Sequence, residues 1–197
     1  MTATLQTPAP LERLNLNINA RAAIGLVREL EDGHITVDLP YQRGPVWSYE
    51  QQVKLVKTWM EGLPIPAIIV NDRWRPAHGD IPEGEPVVAV IDGKQRLLTA
   101  RAWFTGDLAV PASWFFADLV EDTVVTGDGL YVRYTGLARV EQRHCARSWL
   151  LPVGTAEVST VQEEAELYLR YNLAGTPQTL EDLARAALVA AISEEVV

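Results

Sequence analysis

Cysteine is almost missing from this chain. Cys145 is the only one, which excludes an internal disulfide and any multi-cysteine zinc site. Histidine is scarce too, and His34, His78 and His144 have no metal-ligand spacing. No apolar run approaches the ~20 residues of a membrane-spanning helix. The opening MTATLQTPAPLERL lacks a basic segment followed by an apolar one, so it does not read as a secretory signal, and the cytoplasm is the expected compartment. Positive charge is in deficit: 17 Lys and Arg against 26 Asp and Glu leave a net charge of −9. That balance argues against bulk attraction to DNA or acidic membranes but is compatible with a local basic pocket. Neither G-x-x-x-x-G-K-[ST] nor G-x-G-x-x-G in a Rossmann setting occurs, and there is no internal repeat or low-complexity segment. What remains is an ordinary composition, 48% apolar and 22% charged over 197 residues. That is enough for one domain with a real core, alone or with a helical appendage.

The informative stretch is Val87–Phe104, VVAVIDGKQRLLTARAWF. Val87 to Ile91 is a β-branched apolar run that reads as a buried strand. Asp92-Gly93 breaks it, and Lys94 to Phe104 has helical spacing, with Leu97, Leu98, Ala100 and Phe104 on the apolar side and Lys94, Arg96 and Arg101 elsewhere. A strand that turns tightly into a helix presents free backbone N–H groups and the positive end of the helix dipole, which suits an anion. Gly93 would let a ligand approach the backbone, and Lys94 and Arg96 add charge and forked donors. The other reading is plain: Asp92 caps the helix and the basic residues face water.

Along the rest of the chain, residues 1–13 read as a loose arm ahead of one domain over 14–197, with an α/β core over 14–135 and a mainly helical extension over 136–197. The pattern predicts a short strand near Leu14–Ile18, a helix over Ala20–Leu30 and a strand over Ile35–Leu39. Ser48 and Gln51 have capping-box spacing and open a helix to about Met60 with Val53, Val56 and Met60 as its stripe. Pro66–Val70 is a second apolar strand, and Asn71–Pro86 a loop. A hairpin about Gly127-Asp-Gly129 would join Trp114–Val120 to Leu130–Tyr134. Arg139–Leu150 reads as a helix and Leu151–Val153 as a brief extended piece. Ser159 or Thr160 with Gln162 or Glu163 offers another capping box, opening a helix through Tyr171; Asn172–Pro177 is a turn, and Thr179 caps the last helix.

Outside the central stretch, Gln42 and Arg43 lie in the turn-rich Pro40–Trp47 and are either a surface turn or functional. Trp47 and Trp103 are core residues or base-stacking platforms. His144 beside Cys145 suggests a thiol–imidazole pair, yet adjacent residues rarely face each other.

Three ordered motifs carry a resemblance: PYQRGPVWS (Pro40–Ser48), GLPIP (Gly62–Pro66) and IDGKQRLLT (Ile91–Thr99). Together they resemble the N-terminal domain of GmrSD-type modification-dependent restriction enzymes, within the ParB/sulfiredoxin-like superfamily. The stretch Glu166–Pro177 followed by LEDL (Leu180–Leu183) resembles the family's element ending in Asn and a Gly-Thr-Pro turn. The resemblance implies an α/β (mixed α+β) fold: a ParB-like core with a small mixed sheet, surrounding helices and a C-terminal helical segment. It also implies a D-G-Q-Q-R loop that binds nucleotide phosphates and supports NTP hydrolysis. Carried over by position, Asp92, Gly93, Gln95 and Arg96 form that loop and Gln42 and Arg43 face it, with Asn172 a further transfer. The family's first glutamine is Lys94 here, which adds charge beside the phosphates. The loop has no cysteine for sulfiredoxin-like chemistry. The large restriction enzymes continue into a His-Asn-His nuclease domain, whereas this sequence stops at Val197, so a stand-alone version from a phage or mobile element is expected.

The expected function is therefore NTP binding with hydrolysis or phosphoryl transfer, linked to phage or DNA-modification defence. Asp92, Gln95 and Arg96 are the catalytic candidates. Gly93, Lys94, Arg96, Thr99, Gln42 and Arg43 are the phosphate-binding candidates, and Trp47, Arg101 and Asn172 are additional ones. Mg2+ held by Asp92 is the expected cofactor. Nucleotide is the expected partner; DNA or modified DNA at a local site and self-association are further ones, with no membrane partner. The rival class is a non-catalytic nucleotide-gated switch or interaction module. Direct ParB-like nuclease action is disfavoured by the acidic balance and the lack of clustered metal-binding carboxylates.

Overall fold

The β-branched runs become two sheets, and helices cover both faces of the larger one. The structure is a computed structural model and describes residues 16–44, 46–74, 85–173 and 180–191. In chain order the elements are β1 (Asn17–Ala22), α1 (Ala23–Glu31), β2 (Ile35–Thr36), α2 (Tyr49–Met60), β3 (Ile68–Asp72), β4 (Val88–Asp92) and α3 (Lys94–Thr105). There follow β5 (Ala109–Pro111), β6 (Val124–Thr126), β7 (Gly129–Arg133), α4 (Arg139–Ser148), β8 (Leu150–Ala156), α5 (Val161–Leu173) and α6 (Leu180–Ala191). The N-terminal arm to residue 15, Pro45, the middle of the 71–86 connection, residues 174–177 of the expected Asn172–Pro177 turn and the Thr179 cap lie outside the described residues; Asn172 and Leu173, expected in that turn, instead continue α5.

The larger sheet has the order β1-β8-β3-β4-β2. Its pairings alternate: β1/β8 and β3/β4 are antiparallel, β8/β3 and β4/β2 parallel. The fold is thus mixed α/β, as expected. The strands β3 and β4 read as unbroken apolar runs because both of their faces are covered. Ile68, Val70 and Val90 enter the core shared with α1, α2 and α3, while Ile69, Ala89 and Ile91 enter a second core against α5 and α6. Trp103 is fully buried at the centre of the first core and stacks on Trp149 with ring centroids 5.4 Å apart, so of its two readings the core one holds.

The capping box at Ser48 and Gln51 forms as the spacing predicts. The stripe of α2 is Leu55, Val56 and Trp59, with Val53 and Met60 only partly buried. The hairpin turn at Gly127–Gly129 is also present, but its first strand is Val124–Thr126; residues from Ala112 to Leu119 form two short 3-10 turns instead of a strand. The strand expected over Ile35–Leu39 pairs only at Ile35 and Thr36. The brief extended piece at Leu151–Val153 is in fact β8, an interior strand between β1 and β3. Its Pro152 would normally mark an edge. Here the ladder with β3 starts at Val153, one residue later, so the missing N–H breaks no bond on that side.

Candidate functional site

The site forms where β4 ends. Opposite β3, Ile69 is level with Asp92 but Val70 is level with Val90, so Ile91 is an extra residue in the ladder, a β-bulge. Gln42 closes this irregularity: its Nε2 donates to the carbonyls of Val90 and Ile91 at 2.5 and 2.6 Å. Its Oε1 is buried and has no partner among the described residues. Beyond the bulge, Gly93 takes φ +94° and serves as N-cap of α3 with no side-chain capping bond. Asp92 therefore does not cap the helix. It accepts from Arg96 Nη2 at 2.7 Å, one helical turn on. Arg96 also donates to the carbonyl of Ala67 at 3.0 Å, and its Nε is buried with no partner among the described residues.

The other members of the predicted loop are engaged as well. Lys94 is buried rather than outward, and its Nζ lies 3.1 Å from Asp38. Gln95 holds the 44–47 loop by accepting from the N–H groups of Val46 and Trp47 at 3.1 and 3.2 Å and donating to the carbonyl of Gly44 at 3.3 Å. Gly93 is needed for a reason other than the expected one. A Cβ there would stand 2.4 Å from Cγ2 of Ile68, so the close neighbour is β3.

These residues line a pocket of about 270 Å³ together with Arg43, Trp47 and Asn172, and with Tyr168 and Tyr171. Two candidates are not brought to it. Thr99 is fully buried inside α3 with its hydroxyl donating to the carbonyl of Gln95 at 2.8 Å, and Arg101 is on the solvent side paired with Glu31. His144 and Cys145 point apart: the histidine is exposed, whereas the thiol is buried against Glu141 and pushed up by burial and that carboxylate. The two tyrosines were not singled out from the sequence. Tyr168, Tyr171 and Asn172 lie three and four residues apart on α5, a spacing that puts them on one helix face. That spacing was the available signal, but it is equally a packing signal.

Among the described residues, Arg43, Lys94, Arg96 and Asp92 are the charged groups that line the pocket, with Lys94 paired to Asp38 and Arg96 to Asp92. Tyr171's phenol is raised by burial and then by the Asp92 charge, so it remains a protonated donor at neutral pH. Trp47, Tyr168 and Tyr171 supply aromatic wall. The arrangement can hold a ligand that is anionic at one end and planar at the other. Among the described residues no group of three His, Cys, Asp or Glu is placed to hold a metal ion.

Residues 26–147 match the GmrSD restriction endonuclease N-terminal domain, well over half of the chain. The chain belongs to that family. No curated protein and no solved structure matches it. The matched span of this GmrSD N-terminal domain holds Gln42, Arg43, Trp47 and the whole Asp92–Arg96 turn, while the α5 wall of the pocket lies beyond it. Among the described residues no helix is long and apolar enough to cross a membrane.

Proposed function

We propose that this pocket binds a nucleotide by its phosphates and catalyses NTP hydrolysis or phosphoryl transfer, as one part of a restriction system. The reading is carried by one observation: the start of α3 has no side-chain cap, and it opens into the pocket beside the forked donors of Arg96. Phosphate oxygens suit both the orphan N–H groups and the forked guanidinium. The partnerless Oε1 of Gln42 asks for a donor, which a ribose hydroxyl or a base amine provides. Trp47, Tyr168 and Tyr171 suit a base.

Asp92 and Arg96 neutralise each other without ligand. A phosphate that competes for Arg96 releases the carboxylate, which then orients the attacking water. Among the described residues Asp92 is the one carboxylate lining the pocket, so a divalent cation would have to arrive with most of its ligands supplied by phosphates and water. The described residues do not build a magnesium site of their own.

The bonds from Gln95 to the 44–47 loop favour a second reading, a nucleotide-gated switch, because a ligand that moves the turn also moves that loop. Isothermal titration with ATP, GTP and CTP, with and without magnesium, tests the common part; absence of binding to the wild-type protein overturns both. Phosphate release above background then selects the enzyme, and nucleotide-dependent self-association without turnover selects the switch.

A further inference from the structure

A second region of this acidic chain breaks its charge pattern. On α4, Arg139, Arg143 and Arg147 recur every four residues, and all three are exposed together with Val140, His144 and Ser148. The single acidic residue of the helix, Glu141, is turned inward, within 3.7 Å of the buried Cys145 sulfur. None of the three arginines has a carboxylate partner among the described residues, although most other well-placed cations do.

Helix stability does not explain this stripe. Like charges four apart repel, and a cation in the first turn opposes the helix dipole, so Arg139 and both arginine pairs weaken α4. A stripe that repels itself and is offset only by Arg147 in the last turn points to a role outside the fold. Three guanidiniums spread over about 12 Å of helix cannot converge on one phosphate. They can meet a line of them, as on a nucleic-acid strand with a charge about every 3.4 Å.

We infer that the outer face of α4 docks the sugar-phosphate backbone of double-stranded DNA. The exposed helix face, the regular arginine spacing and the forked donors suit a stiff, evenly charged polyanion better than an acidic peptide, whose carboxylates have no fixed spacing. Arg143, His144 and Arg147 lie side by side on this exposed surface of α4. None of these residues lines the pocket at the start of α3, so the inference stands apart from the nucleotide reading.

The test is anisotropy of a labelled duplex of arbitrary sequence, titrated with the full chain across a salt series. Wild type should bind at low salt and weaken steeply as salt rises. R139A/R143A/R147A should lose at least tenfold in affinity, and its log–log salt slope should fall by about three. Replacement by alanine favours the helix and relieves repulsion, so a loss cannot be put down to an unfolded α4. The triple lysine variant should keep most of the slope, and nucleotide titration into the pocket should be unchanged in both. No binding by wild type, an unaltered slope in the alanine variant, or equal competition by polyglutamate and by duplex DNA at matched charge overturns the inference.

Discussion

The Gln42 carboxamide nitrogen stands 2.6 Å from the carbonyl oxygen of Ile91, the extra residue in the β4 bulge. It reaches the Val90 carbonyl from the same position at 2.5 Å. Successive carbonyls of a regular strand point in opposite directions, so one donor can serve both only where the ladder is broken. Gln42 thereby ties the Pro40–Trp47 turn to the end of β4. Gln42→Leu keeps the volume and leaves two buried carbonyls without a donor. It should lose roughly 2–4 kcal/mol of stability. Urea denaturation reads this directly, and an unshifted midpoint would mean that the bulge does not depend on Gln42.

Asp92 and Arg96 are paired at 2.7 Å, and the proposed exchange makes their variants differ in direction. Arg96→Ala removes a forked phosphate contact and should weaken nucleotide binding by about tenfold to a hundredfold. Asp92→Asn removes the internal competitor and should tighten binding while lowering phosphate release. Titration calorimetry and a phosphate-release assay separate the two. Parallel losses of affinity in both variants would mean that the ion pair only shapes the turn.

Gly93 combines φ +94° with an Ile68 methyl 2.4 Å from where its Cβ would lie. Gly93→Ala must therefore adopt a left-handed backbone and displace β3. The two effects together should destabilise by about 2–4 kcal/mol. Thermal unfolding measures the loss. Gly33→Ala is the control, because it shares a positive φ (+76°) but has open space around its Cβ, and its loss should be the smaller.

The junction was legible because two local signals coincided: a β-branched run and a helical period, separated by Asp-Gly. Strand and helix end within one residue of the expected positions, but the buried face of α3 also takes Lys94, Thr99 and Trp103, while Leu98 is only partly buried. The ion pairs were not legible. Lys94 reads as an outward charge from its helical position, yet it is buried against Asp38, fifty-six residues away. Gln95 likewise finds its partners forty-eight and forty-nine residues back, in the 44–47 loop. Such contacts depend on which elements pack together, and no local pattern encodes that. β8 was underrated for the same kind of reason: Pro152 signals an edge, and only the register with β3 shows why it is tolerated inside the sheet.

Gln95 also makes a measurable claim about motion. Its Oε1 is the acceptor for the amides of Val46 and Trp47, both in an otherwise irregular loop. Gln95→Ala should speed hydrogen exchange at those two amides by at least tenfold and leave the α3 amides beyond Leu97 unchanged. Equal exchange in the two proteins would mean that the loop is held by something else.

The most consequential residue outside the pocket is Glu164, fully buried on α5 behind Tyr168. Its carboxylate accepts from Arg73 Nε at 2.8 Å and Nη2 at 2.6 Å, from Asn71 at 2.9 Å and from the Tyr41 hydroxyl at 3.1 Å. Burial alone pushes this carboxyl up. The bonds from Arg73 and Asn71, the Arg73 charge and the Tyr41 bond outweigh it and hold the group below the usual carboxylate range. A depressed native value means that the unfolded chain takes up the proton first. The network thus contributes stability above the ordinary glutamate range near ~4.3 and loses it as pH falls through the lower native value. Glu164→Gln keeps the shape but leaves Arg73 half-buried without its counter-ion, which should remove about 3–5 kcal/mol at neutral pH. Its unfolding free energy should also fall less steeply than that of wild type between pH 5 and the acid limit, a range fixed by that carboxyl's ordinary and lowered values. Tyr41 packs against Tyr168 with tilted rings 5.6 Å apart, and Tyr168 lines the pocket, so the same variant should weaken nucleotide binding several-fold even where it remains folded. An acid limb parallel to that of wild type would show that Glu164 is not the group holding α5 against the sheet.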